Sequence, residues 1–425
     1  MGGLRTLTGG LPQPADFALP PDTAARDRWT DADRAHRPER LRRLRERLAA
    51  EAIDAYFGMR PEHMRWVTGF TLGEGEEKVA GHSGQFLVAS DEVRVVTDSR
   101  YTVQAQREAP DAVVDEIGYS LPDHWAAMLA RVGARRVALE AAVVPHALWL
   151  RLEAAAPDVE HVPVDGWLEA LRAVKTPDEI ERVAAACAVA DRALAALLPD
   201  IHLGATEHDL ALRLEWLIRT GGAEALAFDV ACLAGPEAAL PHGAPGDRPV
   251  LAGAVLLFDF GAQVAGYRSD MTRTLFVGEP AVRDLAVYDV VRRAQQAVID
   301  ELEARVRATP LPDGLALDGL ARAVIDADGR WPAYGHGLGH GIGLATHELP
   351  RLGRTATADP LPSPTVFSVE PGIYLEGETG VRIEDLVHLD ASRGLVECLT
   401  RFPKDVITVD AGRGTPVRGS VFQDH

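Results

Sequence analysis

Cysteine is scarce in this chain of 425 residues: Cys187, Cys232 and Cys398 are the full set, and no Cys-x-x-Cys pair occurs. An odd number so widely spread offers no disulfide framework and no thiolate metal site, and fits a reducing compartment with the thiols in the core. Long apolar runs are missing too. No stretch of about 18 apolar residues exists, so no membrane span is expected. Positive charge is also short, with 44 Lys and Arg against 63 Asp and Glu, a formal net charge of −19. Phosphate binding needs clustered cations, so nucleic acid is excluded as the main partner. The acidity serves solubility first. Residues Met1 to Asp22 carry Gly, Pro and one Arg but no apolar h-region, so the chain is read as cytoplasmic, with a loose or docked leading tail.

What remains is ordinary for a globular protein: 47% hydrophobic and 25% charged residues. The length points to two domains. Periodicity starts at Pro38, and Leu41, Leu44 and Leu48 predict an amphipathic surface helix over Arg40 to Ala52. A short apolar run, Ile53 to Phe57, follows. Gln85 to Ala89 and Glu92 to Val96 read as strands around Ser90-Asp91. Asp123 to Val132 reads as a helix and Val137 to Glu140 as a strand, so residues 38–167 form a small α/β domain after a tail over 1–37. Thr176-Pro177 with Glu179 is a helix start by capping-box logic, opening a second domain over residues 168–425. A second helix spans Thr206 to Thr220. Short β-rich runs then follow at Val250–Phe260, Met271–Val277, Thr365–Val369 and Gly380–Leu389, interrupted by a helical stretch from Val282 to Thr309. This half reads as α+β, an antiparallel sheet with helices on one side.

Three clusters in that half can carry chemistry. In Leu256-Leu257-Phe258-Asp259-Phe260-Gly261 a carboxylate closes a buried apolar run, and an unpaired buried charge is costly. Asp270 follows eleven residues later, and a hairpin turning near Val264 to Gly266 would set the two aspartates across from each other. Opposed side chains lie about 4.5–5.5 Å apart at Cβ, where two carboxylates repel unless a cation lies between them. Taken alone, the pair equally fits a turn aspartate and a salt-bridged one. The second cluster, Tyr334 to Glu348, holds His336, His340 and His347 among glycines, which permit close backbone approach. The third is Glu370 in Val369-Glu370-Pro371-Gly372 and Glu384 in Arg382-Ile383-Glu384-Asp385. There Val381 and Ile383 point one way while Arg382 and Glu384 point the other. Each glutamate by itself fits a salt-bridge partner. Together, four carboxylates and an imidazole suit manganese, cobalt or zinc, and would neutralise two divalent ions. Two such ions about 3.5–4 Å apart can share a hydroxide and polarise a carbonyl.

The order and wording of these clusters resemble the pita-bread metallopeptidases, which include methionine aminopeptidase, aminopeptidase P and prolidase. The resemblance runs through Asp-Phe-Gly, Ser-Asp-Met-Thr-Arg-Thr, His-Gly-Leu-Gly-His-Gly-Ile-Gly, Val-Glu-Pro-Gly and Val-Arg-Ile-Glu-Asp, and covers about residues 175–425. Val67-Thr68-Gly69-Phe70 and Thr97-Asp98-Ser99-Arg100-Tyr101 are similar to the creatinase-like N-terminal domain of the proline-specific branch. Leu399 to Lys404 is also typical of that branch. The resemblance implies Asp259 chelating one metal, Asp270 and Glu384 bridging two, His340 on the second, and Glu370 both binding metal and acting as general base. It implies that His347 stabilises the developing oxyanion, as such a reaction needs. His242 would sit on the substrate side, His336 would line a proline pocket, and Arg382 and Tyr267 would hold ligand orientation.

Two manganese ions, or cobalt or zinc, are the implied cofactors, and proline-containing peptides the implied substrates, in a homodimer or larger homo-oligomer without membrane or nucleic-acid partners. The expected activity is that of a Xaa-Pro aminopeptidase. The alternative is a prolidase, for which Arg351 sits where an arginine pairs with the dipeptide carboxylate. A surface role for Arg351 fits equally, and similar arginines occur in relatives that cut longer peptides. A non-peptidase hydrolase of the creatinase or ectoine-hydrolase type is a third reading, opposed by the complete ligand set. Residues 72–83, with Glu74, Glu76, Glu77 and Lys78, depart from the family's shorter Gly/Ser turn. In this family the N-terminal domain can reach a neighbouring subunit's site, so the segment is expected to shape specificity.

Overall fold

The computed structural model describes residues 6–7, 10–72, 83–118 and 120–410. Glu74, Glu76, Glu77 and Lys78 lie outside the described residues. The chain divides into two compact units: one is Thr23–Arg172, the other Ala173–His425 together with Met1–Asp22.

The first unit is built on a six-stranded sheet. In spatial order its strands are Val113–Glu116, Val93–Thr97, Gln85–Ala89, Ala55–Gly58, Arg136–Glu140 and Glu160–Val164. Parallel and antiparallel pairs are mixed, as expected for a small α/β domain. Leu121, Trp125, Met128 and Leu129 from the helix Leu121–Arg131 pack on Phe57, Leu87, Val137 and Leu139 of the sheet. The first helix runs Thr23–Ala50, so it starts well before Arg40 and takes in residues read as tail. Its early turns show no apolar period, but Ala- and Arg-rich sequence has good intrinsic helix propensity. Trp29 and Arg37 anchor it by burial.

In the second unit the helix Pro177–Leu197 begins where the capping box places it: the Glu179 carboxylate accepts the Thr176 amide at 2.7 Å. The helix Glu207–Thr220 is capped the same way by Thr206 and Asp209. One five-stranded sheet centres on Met271–Val277, paired antiparallel with Val255–Phe260, which pairs antiparallel in turn with Ala231–Ala234. Val406–Val409 joins Met271–Val277 in parallel. A second five-stranded sheet is antiparallel throughout, in the order Glu348–Leu352, Gly339–Gly341, Thr365–Val369, Asp385–Asp390, Leu395–Cys398. Side chains of both sheets share one core with the helices Val282–Arg305 and Gly314–Asp328. The expected helix to Thr309 stops at Arg305, and the helix over Gly314–Asp328, which the periodicity did not single out, follows under an Asp313 cap. The expected strand Gly380–Leu389 is two strands, Thr379–Arg382 and Asp385–Asp390, with Ile383 and Glu384 at the break. Cys187 and Cys232 are buried and Cys398 half-buried, all free. No helix among the described residues is long and apolar enough to cross a membrane.

Candidate metal centre

The strand Val255–Phe260 buries Val255 to Phe258 and delivers Asp259 at its end. Across the ladder Asp259 faces Thr272, not Asp270 as the simple hairpin predicted. The hairpin continues in the same register through Ala262–Val264 and Tyr267–Arg268 and turns at Ala265 and Gly266, both at positive φ, one residue later than an Asp259–Asp270 pairing needs. Ser269 and Ala262 close its base, so Asp270 falls just before the strand Met271–Val277. Gly261 allows this closure: a Cβ there would stand 2.0 Å from the Ser269 carbonyl oxygen.

From the other sheet comes His340. Its strand can lie against Thr365–Val369 because Gly339 has no side chain, a Cβ there meeting Ser368 O at 1.9 Å. His340 Nδ1 faces the Gly341 carbonyl at 3.0 Å. A carbonyl only accepts, so Nδ1 carries the proton and the neutral ring presents the Nε2 lone pair. That lone pair faces Asp270 Oδ2 at 3.6 Å and Glu370 Oε1 at 3.4 Å. Burial keeps His340 below its ordinary pKa, so the ring stays neutral near pH 7. Nε2 thus faces two carboxylate oxygens at separations longer than an ordinary hydrogen bond, a vertex that a cation fits.

The rest of the cluster agrees. Ligand atoms of Asp270, His340 and Glu384 lie within 4.8 Å of one another. Burial, and then the charges of Glu384, Asp259 and Glu370, push the Asp270 carboxyl well above the usual carboxylate range. Burial and the same neighbours raise Glu384. Burial raises Glu370 too, against Arg382 and His336. Asp259 Oδ1 and Glu384 Oε1 are buried and accept no hydrogen bond. Orphaned carboxylate oxygens and mutual repulsion are what a bound divalent cation would relieve, so the residues fit such an ion.

Arg382 braces this group. Its guanidinium donates to Asp259 Oδ2 (2.5 Å), Thr272 Oγ1 (2.8 Å), Tyr374 OH (2.9 Å) and Pro241 O (3.3 Å). Thr272 passes its own proton to Glu384 Oε2 at 2.8 Å, and Ser368 Oγ donates to Glu370 Oε1 at 3.0 Å. Thr272, Ser368 and Tyr374 escaped the sequence reading. Thr272 stands two residues after Asp270, and Ser368 two before Glu370. The period-2 rule could have placed them on the same strand faces.

Five further residues were singled out from sequence. His347 lies against His340, with ring centroids 4.2 Å apart and the rings tilted by 47°, and is exposed. Desolvation, then His340 and His242, lower its pKa to about 4. His336 holds Gly337 O through Nδ1 (2.7 Å) and Tyr374 OH through Nε2 (2.9 Å), and burial keeps it neutral. His242 is exposed, on the loop whose Pro241 carbonyl Arg382 holds. Arg351 is exposed and pairs across the ladder with His340, so both sit on one sheet face. Tyr267 donates its hydroxyl to Glu179 at 2.7 Å, which ties the hairpin to the Pro177–Leu197 helix.

Comparison with known proteins follows this geometry. A profile for metallopeptidase family M24 matches residues 181–391, and one for the creatinase/prolidase N-terminal domain matches 40–174. The uncharacterized peptidase YqhT of Bacillus subtilis is 32% identical over 368 residues, which are 87% of this chain and 99% of that protein. A Xaa-Pro dipeptidase from Bacillus anthracis superposes with a TM-score of 0.78 at 31% identity, covering 87% of this chain and 99% of that one. An X-Pro aminopeptidase from Thermotoga maritima does so with 0.73 at 34%, covering 84% and 98%.

Proposed function

This chain belongs to metallopeptidase family M24 and carries its creatinase-type N-terminal domain, and on that premise we propose that it hydrolyses Xaa-Pro bonds, releasing the residue before proline. The observation that carries the chemistry is the unprotonated His340 Nε2 aimed at two carboxylates. The proline preference rests on relatives of both kinds, a Xaa-Pro dipeptidase and an X-Pro aminopeptidase.

Asp259, Asp270, His340, Glu370 and Glu384 would hold two divalent cations, manganese before cobalt or zinc. When bound, such ions supply Lewis acidity, which activates water and polarises a carbonyl. The chain's own residues do the rest. Glu370, raised by burial and steadied by Ser368, takes the proton from the attacking water and returns it to the leaving proline nitrogen. His347, neutral above about pH 4, donates a hydrogen bond to the oxygen on which negative charge develops. His336, fixed between Gly337 and Tyr374, walls the proline side, and His242 lines the approach. Arg382 keeps Asp259 and Glu384 aimed, the latter through Thr272.

A specific observation favours the prolidase alternative: Arg351 stands directly across from His340 with its side chain free to solvent. There it can clamp the carboxylate of a dipeptide. The deciding experiment compares one Xaa-Pro dipeptide with one Xaa-Pro-Xaa tripeptide, with manganese and with chelator. Cleavage of the tripeptide supports the aminopeptidase; cleavage of the dipeptide alone moves the assignment to prolidase. No metal-dependent cleavage of either sinks both. Arg351→Ala then loses far more activity on the dipeptide if the clamp operates, and equal losses on both substrates remove that role.

A further inference from the structure

The His336 ring is held by Gly337 and Tyr374, and its backbone needs a support of its own. It lies in Tyr334-Gly335-His336-Gly337, between two glycines, which cost the most entropy to order. A Cβ at Gly335 would meet nothing within 4 Å, so neighbouring bulk does not fix this backbone there.

What fixes it is a buried arginine on the helix Gly314–Asp328. Arg322 donates Nη1 to Tyr334 O at 2.6 Å and Nη2 to His336 O at 2.7 Å. Its guanidinium carbon lies 4.0 Å from the Tyr334 ring centroid. Asp318, one turn earlier on the helix, takes Nε at 2.7 Å and Nη2 at 3.0 Å, and its Oδ1 also accepts the Tyr334 hydroxyl at 3.2 Å. Asp318, Arg322 and Tyr334 are all buried. The four residues form a closed ring between the helix and the glycine-flanked segment. Only a planar fork can serve two carbonyls and a carboxylate at once.

We propose that Arg322, locked by Asp318, is a specificity-determining positioning residue that sets how tightly the site holds its substrate. It acts through the His336 backbone and touches neither substrate nor metal. This rests on the reading of the site as a Xaa-Pro peptidase. The effect is confined to substrate binding because the ligands hang on different supports. If His336 shifts, Arg382 loses the ordering of one neighbour, Tyr374, but keeps Asp259, Thr272 and Pro241 as acceptors.

The test uses the full-length, manganese-loaded protein. Asp318→Asn keeps the shape and removes the charge that locks the guanidinium. Arg322→Lys keeps the charge and removes the fork. The expected result for Arg322→Lys is a KM for a Xaa-Pro substrate raised about tenfold, about 1.4 kcal/mol of binding, with kcat within about twofold. Asp318→Asn should raise KM about threefold. Calorimetric manganese affinity should match the parent, and the preference for Xaa-Pro over Xaa-Ala should narrow. An unchanged KM in the folded variants overturns the proposal. So does a joint fall of kcat and manganese affinity, which would mark general loosening. If Arg322→Lys fails to fold, the isosteric Asp318→Asn decides alone. A parent that cleaves no Xaa-Pro peptide rejects the peptidase reading itself, whereas an active parent with indifferent variants rejects only the role of Arg322.

Discussion

Replacing Asp270 by Asn should stabilise the metal-free protein while removing most of what metal adds. Ligand atoms of Asp270, His340 and Glu384 lie within 4.8 Å of one another. At that separation two unit charges repel by about 3.5 kcal/mol in an effective dielectric of about 20. Arg382 and protons taken up by the cluster offset part of this, leaving a relief of about 2 kcal/mol at pH 8. For a unit of this size that raises Tm by about 4 °C in chelator. The pH trend follows from the raised carboxyls. Their folded-state pKa values exceed the unfolded ones, so the folded state takes up protons and the chelated parent gains stability as pH falls from 8 toward 6. The variant should gain less over that window. Manganese at about a hundred times the parent's Kd adds about 2.7 kcal/mol. If the lost carboxylate weakens binding about a hundredfold, the same concentration adds only about 0.4 kcal/mol to the variant. Scanning calorimetry with chelator and with manganese reads both effects. A variant less stable than the parent in chelator, or one that gains as much from manganese, would refute the repulsion argument.

Lys175→Met should cost about 3 kcal/mol, read as a lower urea midpoint, because it takes the ammonium away from an enclosed carboxylate. The Lys175 ammonium lies 3.2 Å from Glu348 Oε2, and both side chains are almost fully enclosed. Glu348 also holds the Ala345 amide beside His347, so turnover should fall as well. Asp191→Asn should flatten the dependence of Tm on pH between about 4.5 and 7. Burial raises the Asp191 carboxyl to about 6 even though it accepts the Arg401 and Phe402 amides. Its folded pKa lies above the unfolded value, so it favours the folded state at low pH, and that contribution is lost as pH rises through about 6. An unchanged slope in the variant would show that other groups carry the dependence.

The candidates Asp259 and Glu370 were legible in sequence because each closes an apolar or β-branched run, where burial forces a charge to find a partner. The aspartate register was not. The turn falls at Ala265 and Gly266, one residue later than an Asp259–Asp270 pairing needs, and its base is held by side-chain and backbone bonds that no periodicity reports. The helix Gly314–Asp328 hid because Gly314 and Gly319 dilute a stripe whose apolar members are Leu317, Ala321 and Ile325. The early turns of Thr23–Ala50 hid behind charge, since propensity rather than amphipathicity makes them helical. The Arg322 ring lay beyond reach altogether: its bonds run to backbone carbonyls, which carry no residue signature.

The hydrogen bond from Thr272 to Glu384 spans 112 residues of chain. Synthesis proceeds from the N-terminus, so both aspartates emerge long before either glutamate. A nascent chain grown as far as His340 holds three of the five donors and nothing to close the ring around a cation. On the proposed ligand set, a cation held by all five residues comes only after the chain has passed Glu384. Hydrolysis, on the proposed reading, would begin only after the strands that flank Glu384 have paired.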